Sequence, residues 1–493
     1  MTYTLNPELM QRIERAKAIL GNQFEDFEQK VLKYKTKLDS PEWDVICFYF
    51  YAKARRSEKQ TMMWSRFWAT NRKPKRFENF HYSIPASYNN LCCSKESSEY
   101  FFGILDYYSE HDLKLTWNDF LQIFFDYRSK IMPKFSTLEF EVFQTILQEQ
   151  TLSNRELLTK LSMDSSNLSK YKRKLVKRFL IFEGFSINFY VLNLATYGIV
   201  YNIPLTAKID FFQELPESSF LHSIYTSYSN SQTAMIQYVT PDNVQVKKDL
   251  ETLCERINNN NDIISSEIYK FDLSSRLKSF NFTNYNYKEG KWDLPYYKII
   301  AALESEEKES SKDIPLIISE FEQVKRKELN LNKIGIEILN HMLRRNEMSI
   351  NAIKSDLDLS EKETRKQIDN LHNKQYYRTR INPNYVFGLS NLVLFLSRKP
   401  VEQLEIHKKL SIFPEIYSQK YSNEEEEGLH FIIRIPDEMI FDCMSLFNEY
   451  FKEDVKEMFV VNQMYSRRWL LPTERYETVF QEWKYETKDI LGE

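Results

Sequence analysis

The chain has 493 residues, a formal net charge of −3 and a 42% hydrophobic, 15% aromatic composition. That is enough apolar material for about three domains with cores of their own. The near-neutral balance excludes a globally basic nucleic-acid binder, so any such surface is local. Nine glycines argue against Gly-rich phosphate loops and a large α/β enzyme.

The opening MTYTLNPELMQRIERAK lacks the apolar core of a signal peptide. No run approaches the roughly 18 apolar residues that span a membrane. Cys47, Cys92, Cys93, Cys254 and Cys443 form no CxxC pair, so a reduced, cytoplasmic chain without membrane partners is expected.

Residues 1–134 read as a helical domain, with helices over 6–37, 41–70 and 116–130. One segment there, KARRSEKQTMMWSRFWATNRKPKRF, sets Arg55, Arg56, Arg66, Arg72, Lys73 and Arg76 against a lone Glu58, with Trp64, Phe67 and Trp68 interleaved. Bases for phosphates and rings for stacking suit a nucleic acid. A helical core holding Trp64 and Trp68, with its bases facing water, produces the same pattern.

Beyond residue 134 the chain repeats itself. SNRELLTKLSMDSSNLSKYKRKLVKRFLI (153–181) aligns without gaps on SINAIKSDLDLSEKETRKQIDNLHNKQYY (349–377) at a spacing of 196 residues. Leu157 falls on Ile353, Leu161 on Leu357, Lys170 on Lys366 and Leu175 on Leu371, while Val142 and Ile146 fall on Ile338 and Met342. Later landmarks recur with small shifts: LPESS and FPEIY, SYSN and KYSN, TPDN and IPDE. A period near 200 residues means duplicated domains, not a solenoid.

Each copy opens with three helices, over about 137–149, 154–161 and 165–178 in the first. Asp164 or Ser165 caps the third, and SMDS forms the turn of a helix-turn-helix. LIFEGFSINFYVLNL then alternates around Gly184 as a wing hairpin does. Strand, helix, strand, strand, helix, strand comes next, the βαββαβ order of a ferredoxin-like sandwich. The expected architecture is therefore α+β: a helical N-terminal domain (1–134), winged helix 1 (135–192), ferredoxin-like domain 1 (193–272), a helical linker (273–331), winged helix 2 (332–389), ferredoxin-like domain 2 (390–465) and a C-terminal tail (466–493).

A winged helix-turn-helix followed by βαββαβ resembles the Lrp/AsnC (feast/famine) regulators. MDSSNLSKYKRKL with Ile181, and LSEKETRKQIDNL with Tyr377, are similar to that family's recognition helix, although Lys172 stands where the family usually has Val. The resemblance implies double-stranded DNA as partner for the helix pair, and dimerisation or small-molecule effector sensing by the sandwich. It covers about 135–272 and 332–465. The glycine that helps shape the family's amino-acid pocket has no counterpart at Asn230–Thr233. Two modules in one chain imply an intramolecular pseudo-dimer whose sandwiches pair sheet to sheet. Sirohaem decarboxylases, of the same fold class, supply an enzyme alternative, favoured by a deep pocket lined with His and Arg.

The copies differ in charge. From Ser165 to Arg178 there are six basic residues and no acid. On a wheel of about 100° per residue, Ser166, Lys170, Arg173, Lys174 and Lys177 gather opposite Leu168. The second copy presents Lys362, Lys366, Asp369, Asn370 and Asn373 instead. A carboxylate facing a duplex is unfavourable, because phosphate charge recurs about every 1.7 Å. The first copy is thus expected to read DNA, and the second to serve as a weak reader, a spacer or a protein-binding surface. Seven histidines show no HExxH, and no P-loop, GxSxG or GxGxxG occurs. No enzyme activity, metal or cofactor is expected. His430 and Arg434, like His222 and Asp210, fall within the sandwiches. A transcriptional regulator or chromatin factor is the first expectation, and a protein-interaction adaptor built on degenerate winged helices the second.

Overall fold

The computed structural model describes residues 132–148, 154–179, 183–202, 218–227, 233–259, 264–294, 296–304, 318–319, 329–345, 350–381, 387–389, 391–398, 402–468 and 470–492, and a few positions between 103 and 111. The chain divides into two compact units, 1–130 and 131–493. The second is a mixed α and β structure whose sheets are antiparallel throughout.

It starts with α1 (Thr137–Gln148), α2 (Asn154–Lys160) and α3 (Ser165–Phe179), and the second copy repeats them as α6 (Lys333–Arg345), α7 (Ile350–Leu357) and α8 (Glu361–Asn373). Between these sets lies α5 (Tyr296–Glu304), and between the first set and α5 lies α4 (Val244–Asn258). Val142, Ile146, Leu157, Leu161, Leu168 and Leu175 are buried together, as are Ile338, Met342, Ile353 and Leu371. Their spacing of four and seven puts them on one face of each helix. Asp164 caps α3 by accepting from the Asn167 N–H at 2.8 Å, and Ser360 caps α8 by accepting from Glu363 N–H at 3.2 Å. Those caps are 196 residues apart. So are Ser162 and Asp358, whose φ of 48° and 52° turn the chain before each third helix.

The hairpin expected around Gly184 is replaced by a pairing between copies. β1 (Glu183–Ile187) lies antiparallel to β9 (Tyr377–Ile381) of the second copy. A hairpin needs a tight turn after its first strand. Here Asn188 instead starts a short helical turn, accepting from Val191 N–H and Leu192 N–H through its side chain and carbonyl.

The first copy contributes β2 (Leu194–Asn202), β3 (Leu221–Ser227), β4 (Thr233–Pro241) and β5 (Ser265–Phe280). The second contributes β10 (Asn391–Ser397), β11 (Glu415–Ser422), β12 (Glu427–Ile435) and β13 (Val455–Arg468), with α9 (Gln403–Leu410) and α10 (Ile440–Phe451) in its connections. The helix expected over 206–215 lies outside the described residues. In both copies the sheet order is second, third, first, fourth strand. β5 also pairs with β11, and β13 with β3, so eight strands close into one barrel-like sheet. β8 (Ile318–Ser319) adds to the edge of β5.

The two sheets therefore meet within one chain, face to face across an apolar interior and edge to edge through β5 and β13. Val200, Met235, Tyr269 and Phe271 from the first copy pack with Leu392, Leu394, Leu396, Phe459 and Val461 from the second. Each such side chain contributes roughly 2 kcal/mol by leaving water. Gly198 makes room inside: a Cβ there would lie 2.5 Å from the Phe271 ring. The second copy has Leu394 at that register.

The strand expected to end at Asp272 runs on to Phe280, because its second half pairs with β11. The expected linker and the expected tail both carry structure of their own. β6 (Tyr285–Asn286) and β7 (Lys291–Trp292) form a small hairpin, and β14 (Tyr476–Glu477) and β15 (Glu482–Trp483) form its counterpart. Tyr476, Trp483 and Ile490 repeat Tyr285, Trp292 and Ile299 at a constant spacing of 191 residues. Trp292 Nε1 donates to Phe387 O at 2.7 Å, and Trp483 Nε1 to Leu192 O at 2.8 Å. Each hairpin thus fastens onto the other copy. α5 buries Ile299 and Leu303 in the second copy's core, while α11 (Lys488–Leu491) buries Ile490 and Leu491 in the first copy's.

Candidate functional site

Two places on this framework concentrate chemistry. The first is α3. Leu168 and Leu175 anchor it to α1, and Ser166, Lys170 and Arg173 stand exposed on its outer side. For Lys177 only the backbone is described. Lys172 is half-buried, in keeping with its place beside Leu168 and Leu175 on the wheel. No acidic residue occurs in α3, and the Asp164 carboxyl at its start is engaged with the Asn167 N–H and side-chain amide at 2.8 and 2.7 Å. Those bonds, the backbone one foremost, hold the Asp164 pKa below the usual carboxylate value.

Lys174 behaves differently from its neighbours. Its Nζ is paired with the Glu139 carboxylate of α1. Glu139 is only 3% exposed and also accepts from the Ser136 N–H at 2.8 Å. Burial, the largest influence on Glu139, raises its pKa, but the bonds from Lys174 and Ser136 together outweigh it and the net displacement is downward. The exposed basic face is thus Lys170 and Arg173, with Lys174 turned toward the helix that supports it. Ser136-x-x-Glu139 is a capping box, a signal legible in the sequence that marks Glu139 as held at the start of α1.

In α8 the face is mixed. Glu361 and Glu363 fill the first turn, where α3 has Ser165 and Asn167. Arg365 is folded back on Glu361, with Nε at 3.0 Å and Nη2 at 2.8 Å. Lys362, Lys366, Asp369 and Asn373 are exposed, and Asn370 is half-buried. The N-terminal patch of Arg55, Arg56, Arg66, Arg72, Lys73 and Arg76 lies outside the described residues.

The second place is the inner face of the barrel in the second copy. On β12, His430 and Arg434 stand opposite Leu396 and Leu392, residues of the apolar interior. Glu415, fully buried on β11, lies 3.5 Å from Arg434 Nε and 3.5 Å from Lys278 Nζ of β5. Tyr417 donates to Glu415 Oε1 at 2.7 Å. Its ring has Lys278 Nζ at 4.5 Å and Arg276 Cζ at 5.2 Å. Gln419 Nε2 lies 2.9 Å from His430 Nδ1. Burial, helped by Arg276, lowers the His430 pKa to about 3, so the ring is neutral near pH 7. The first copy has Met235 and Val239 at the corresponding positions, so His430 and Arg434 have no counterpart on β4, and the group is completed by Arg276 and Lys278 of β5 from the first copy. His430 and Arg434 fall in the expected sandwich region. Lys278, lying in the expected linker, and Glu415 carry no motif that marks them.

Among the described residues no group of three His, Cys, Asp or Glu side chains is placed to hold a metal ion, and no helix is long and apolar enough to cross a membrane. No protein-family model matches the chain, and no curated protein matches it. Two solved structures are similar to it. One is the siroheme decarboxylase NirDL, 13% identical, covering 66% of this chain and 90% of that chain with a TM-score of 0.31. The other is the same enzyme in co-complex with an iron-uroporphyrin III analogue, 12% identical with the same coverage and TM-score. Both likenesses are distant.

Proposed function

We propose that this chain binds double-stranded DNA as an intramolecular pseudo-dimer, and acts as a transcriptional regulator or chromatin-associated factor. In this reading each copy is a helix-turn-helix unit followed by a ferredoxin-like sandwich, in the manner of Lrp/AsnC proteins, with the wing strands exchanged between copies. α3 enters the major groove and α8 contributes little.

The observation that carries the reading is the exposed face of Ser166, Lys170 and Arg173 on a capped third helix without carboxylates. Lysine and arginine at such positions neutralise phosphates and release counterions, which supplies affinity. Ser166 near the helix N-terminus adds a hydroxyl for phosphate or base edges. Two helical units tied by β1 and β9 suit partners with approximate twofold symmetry. A mobility-shift titration of the full chain on genomic fragments at two salt concentrations tests it. Binding that weakens steeply with salt supports the reading, and no shift at either salt refutes it.

A further inference from the structure

The chain carries the same small hairpin twice, and the two have diverged to opposite character. β6–β7 and β14–β15 keep one backbone: Gly290 and Gln481, 191 residues apart, both turn the chain with a positive φ, of 70° and 57°. Their tips differ. Tyr285–Trp292 holds two lysines and one glutamate, whereas Tyr476–Trp483 holds two glutamates and no base. Lys288 and Glu289 of the first stand where the second has Val479 and Phe480. Val479 is 85% and Phe480 70% exposed, so two adjacent apolar side chains project from a turn into water.

Their surroundings carry the same contrast. Below the apolar tip, Glu477 and Glu482 face each other directly across the strands, an arrangement in which like charges repel. Lys484 engages Glu477, while Glu482 stands exposed. In the first hairpin Asn286 faces Lys291 instead. Glu289 is engaged by Lys291 at 2.6 Å, and Lys288 and Lys134 are exposed. Lys134 lies beside this tip: a Cβ on Gly290 would come 3.2 Å from its Cγ. These bases border an apolar spot. The half-buried Tyr287 ring stacks on Phe140 at 4.6 Å, its hydroxyl lies 3.4 Å from Thr137 Oγ1, and the next residue, Leu138, is 40% exposed.

An acid-flanked apolar knob and a base-flanked apolar spot complement each other in charge and polarity. Within one chain they sit on separate cores, the first hairpin with α1–α3 and the second with α6–α8. We propose that each is occupied by a second copy of this chain: the β14–β15 tip of one molecule docks on Tyr287 and Leu138 of the next, its two glutamates set against the lysines there. Because the two patches differ, the contact is head to tail and leaves a free knob and a free spot at the ends of each pair. A hairpin tip and one helical turn cover less than the roughly 800 Å² per partner of a stable interface, so association is weak and depends on concentration. It is independent of DNA binding.

Sedimentation velocity of the full chain across a wide range of concentration tests it, at low and at high salt. The weight-average sedimentation coefficient should rise with concentration, and the rise should shrink at high salt. Val479→Ser with Phe480→Ser should weaken association roughly tenfold or more, since the aromatic anchor is lost. Charge reversal supplies a control that misfolding does not imitate. Glu477→Lys with Glu482→Lys, and separately Lys288→Glu with Lys291→Glu, should each abolish self-association, and an equimolar mixture of the two variants should restore it. Circular dichroism selects the variants that fold, and the wild-type concentration series decides independently of them. A wild-type chain that stays monomeric at every concentration, a folded Val479→Ser, Phe480→Ser chain that associates as the wild type does, or folded charge-reversed variants that fail to rescue each other would each overturn the proposal.

Discussion

Gly184 of β1 stands directly opposite Arg380 of β9, and these two residues occupy the same position in the two copies, 196 residues apart. A strand pair in which a residue faces its own counterpart has an approximate twofold axis through that pair. The axis relates α1–α3 to α6–α8 and one half of the barrel to the other. Phe185 and Tyr377 pack edge to face beside it, 5.7 Å apart. The link between the helical units is thus backbone pairing reinforced by a buried aromatic contact.

The same symmetry predicts the behaviour of the two tryptophan clamps. Trp292→Phe and Trp483→Phe each delete one buried N–H···O bond and leave a buried carbonyl short of a donor. Each should cost about 1–3 kcal/mol. Because each clamp fastens one copy to the other, urea unfolding followed by near-ultraviolet and far-ultraviolet circular dichroism should stay coincident, with a lower midpoint. Separate transitions by the two probes would show that the copies unfold independently.

Lys174 and Lys170 should separate stability from binding. Lys174→Met leaves the buried Glu139 carboxylate without its ammonium partner and should cost about 1–3 kcal/mol, discounted because Lys174 is itself 42% exposed. Its effect on DNA affinity should be small. Lys170→Met should do the reverse. Chemical denaturation and DNA titration of the two variants under identical conditions check the contrast.

Much of this was legible in the sequence. The helices over 137–148, 154–160 and 165–179 follow from the spacing of Leu157, Leu161, Leu168 and Leu175 and from the Asp164 cap, all local information. The strands around Ile199, Ile236, Phe395 and Ile433 were equally plain, being apolar runs between turns. What escaped was pairing across the copies. No local pattern says that Phe185 pairs beside Thr379, or that Leu277 lies against Ser418, since the first pair joins the two copies in a sheet of its own and the second closes the barrel. The clamps did leave a trace, the recurrence of Tyr285 and Trp292 at Tyr476 and Trp483. A helical wheel shows which way Lys174 faces, but not that a neighbouring helix offers Glu139. Likewise Lys278, Glu415 and Arg434 come from three strands and form no motif.

Acid should destabilise the fold through buried histidines. His407 is fully buried, its Nδ1 2.8 Å from Ser418 Oγ and its Nε2 3.1 Å from Ser279 Oγ. Burial lowers its pKa from 6.5 to about 3. The folded state keeps the ring neutral while the unfolded chain takes up a proton below pH 6.5. Stability is therefore complete above that value and is lost as pH falls toward 3, by about 2 kcal/mol between pH 7 and pH 5 for this one group. His430 acts in the same direction. Urea midpoints at pH 7, 6 and 5 should fall steadily, and His407→Gln should flatten that slope even if it lowers the midpoint at pH 7. An unchanged slope would mean that His407 titrates normally in the folded protein.

The charge difference between α3 and α8 is the centre of the account, and fluorescence anisotropy on one duplex at two salt concentrations tests it most directly. Lys170→Glu with Arg173→Glu should weaken binding at least tenfold and lower the salt slope by about one for each phosphate no longer neutralised. Lys366→Glu should change both far less, because Asp369 already stands beside it. Asp369→Arg should strengthen binding. Circular dichroism establishes that each variant is folded. Equal losses of affinity from α3 and α8 variants, or wild-type binding in all of them, would contradict the assignment of DNA contact to the first copy.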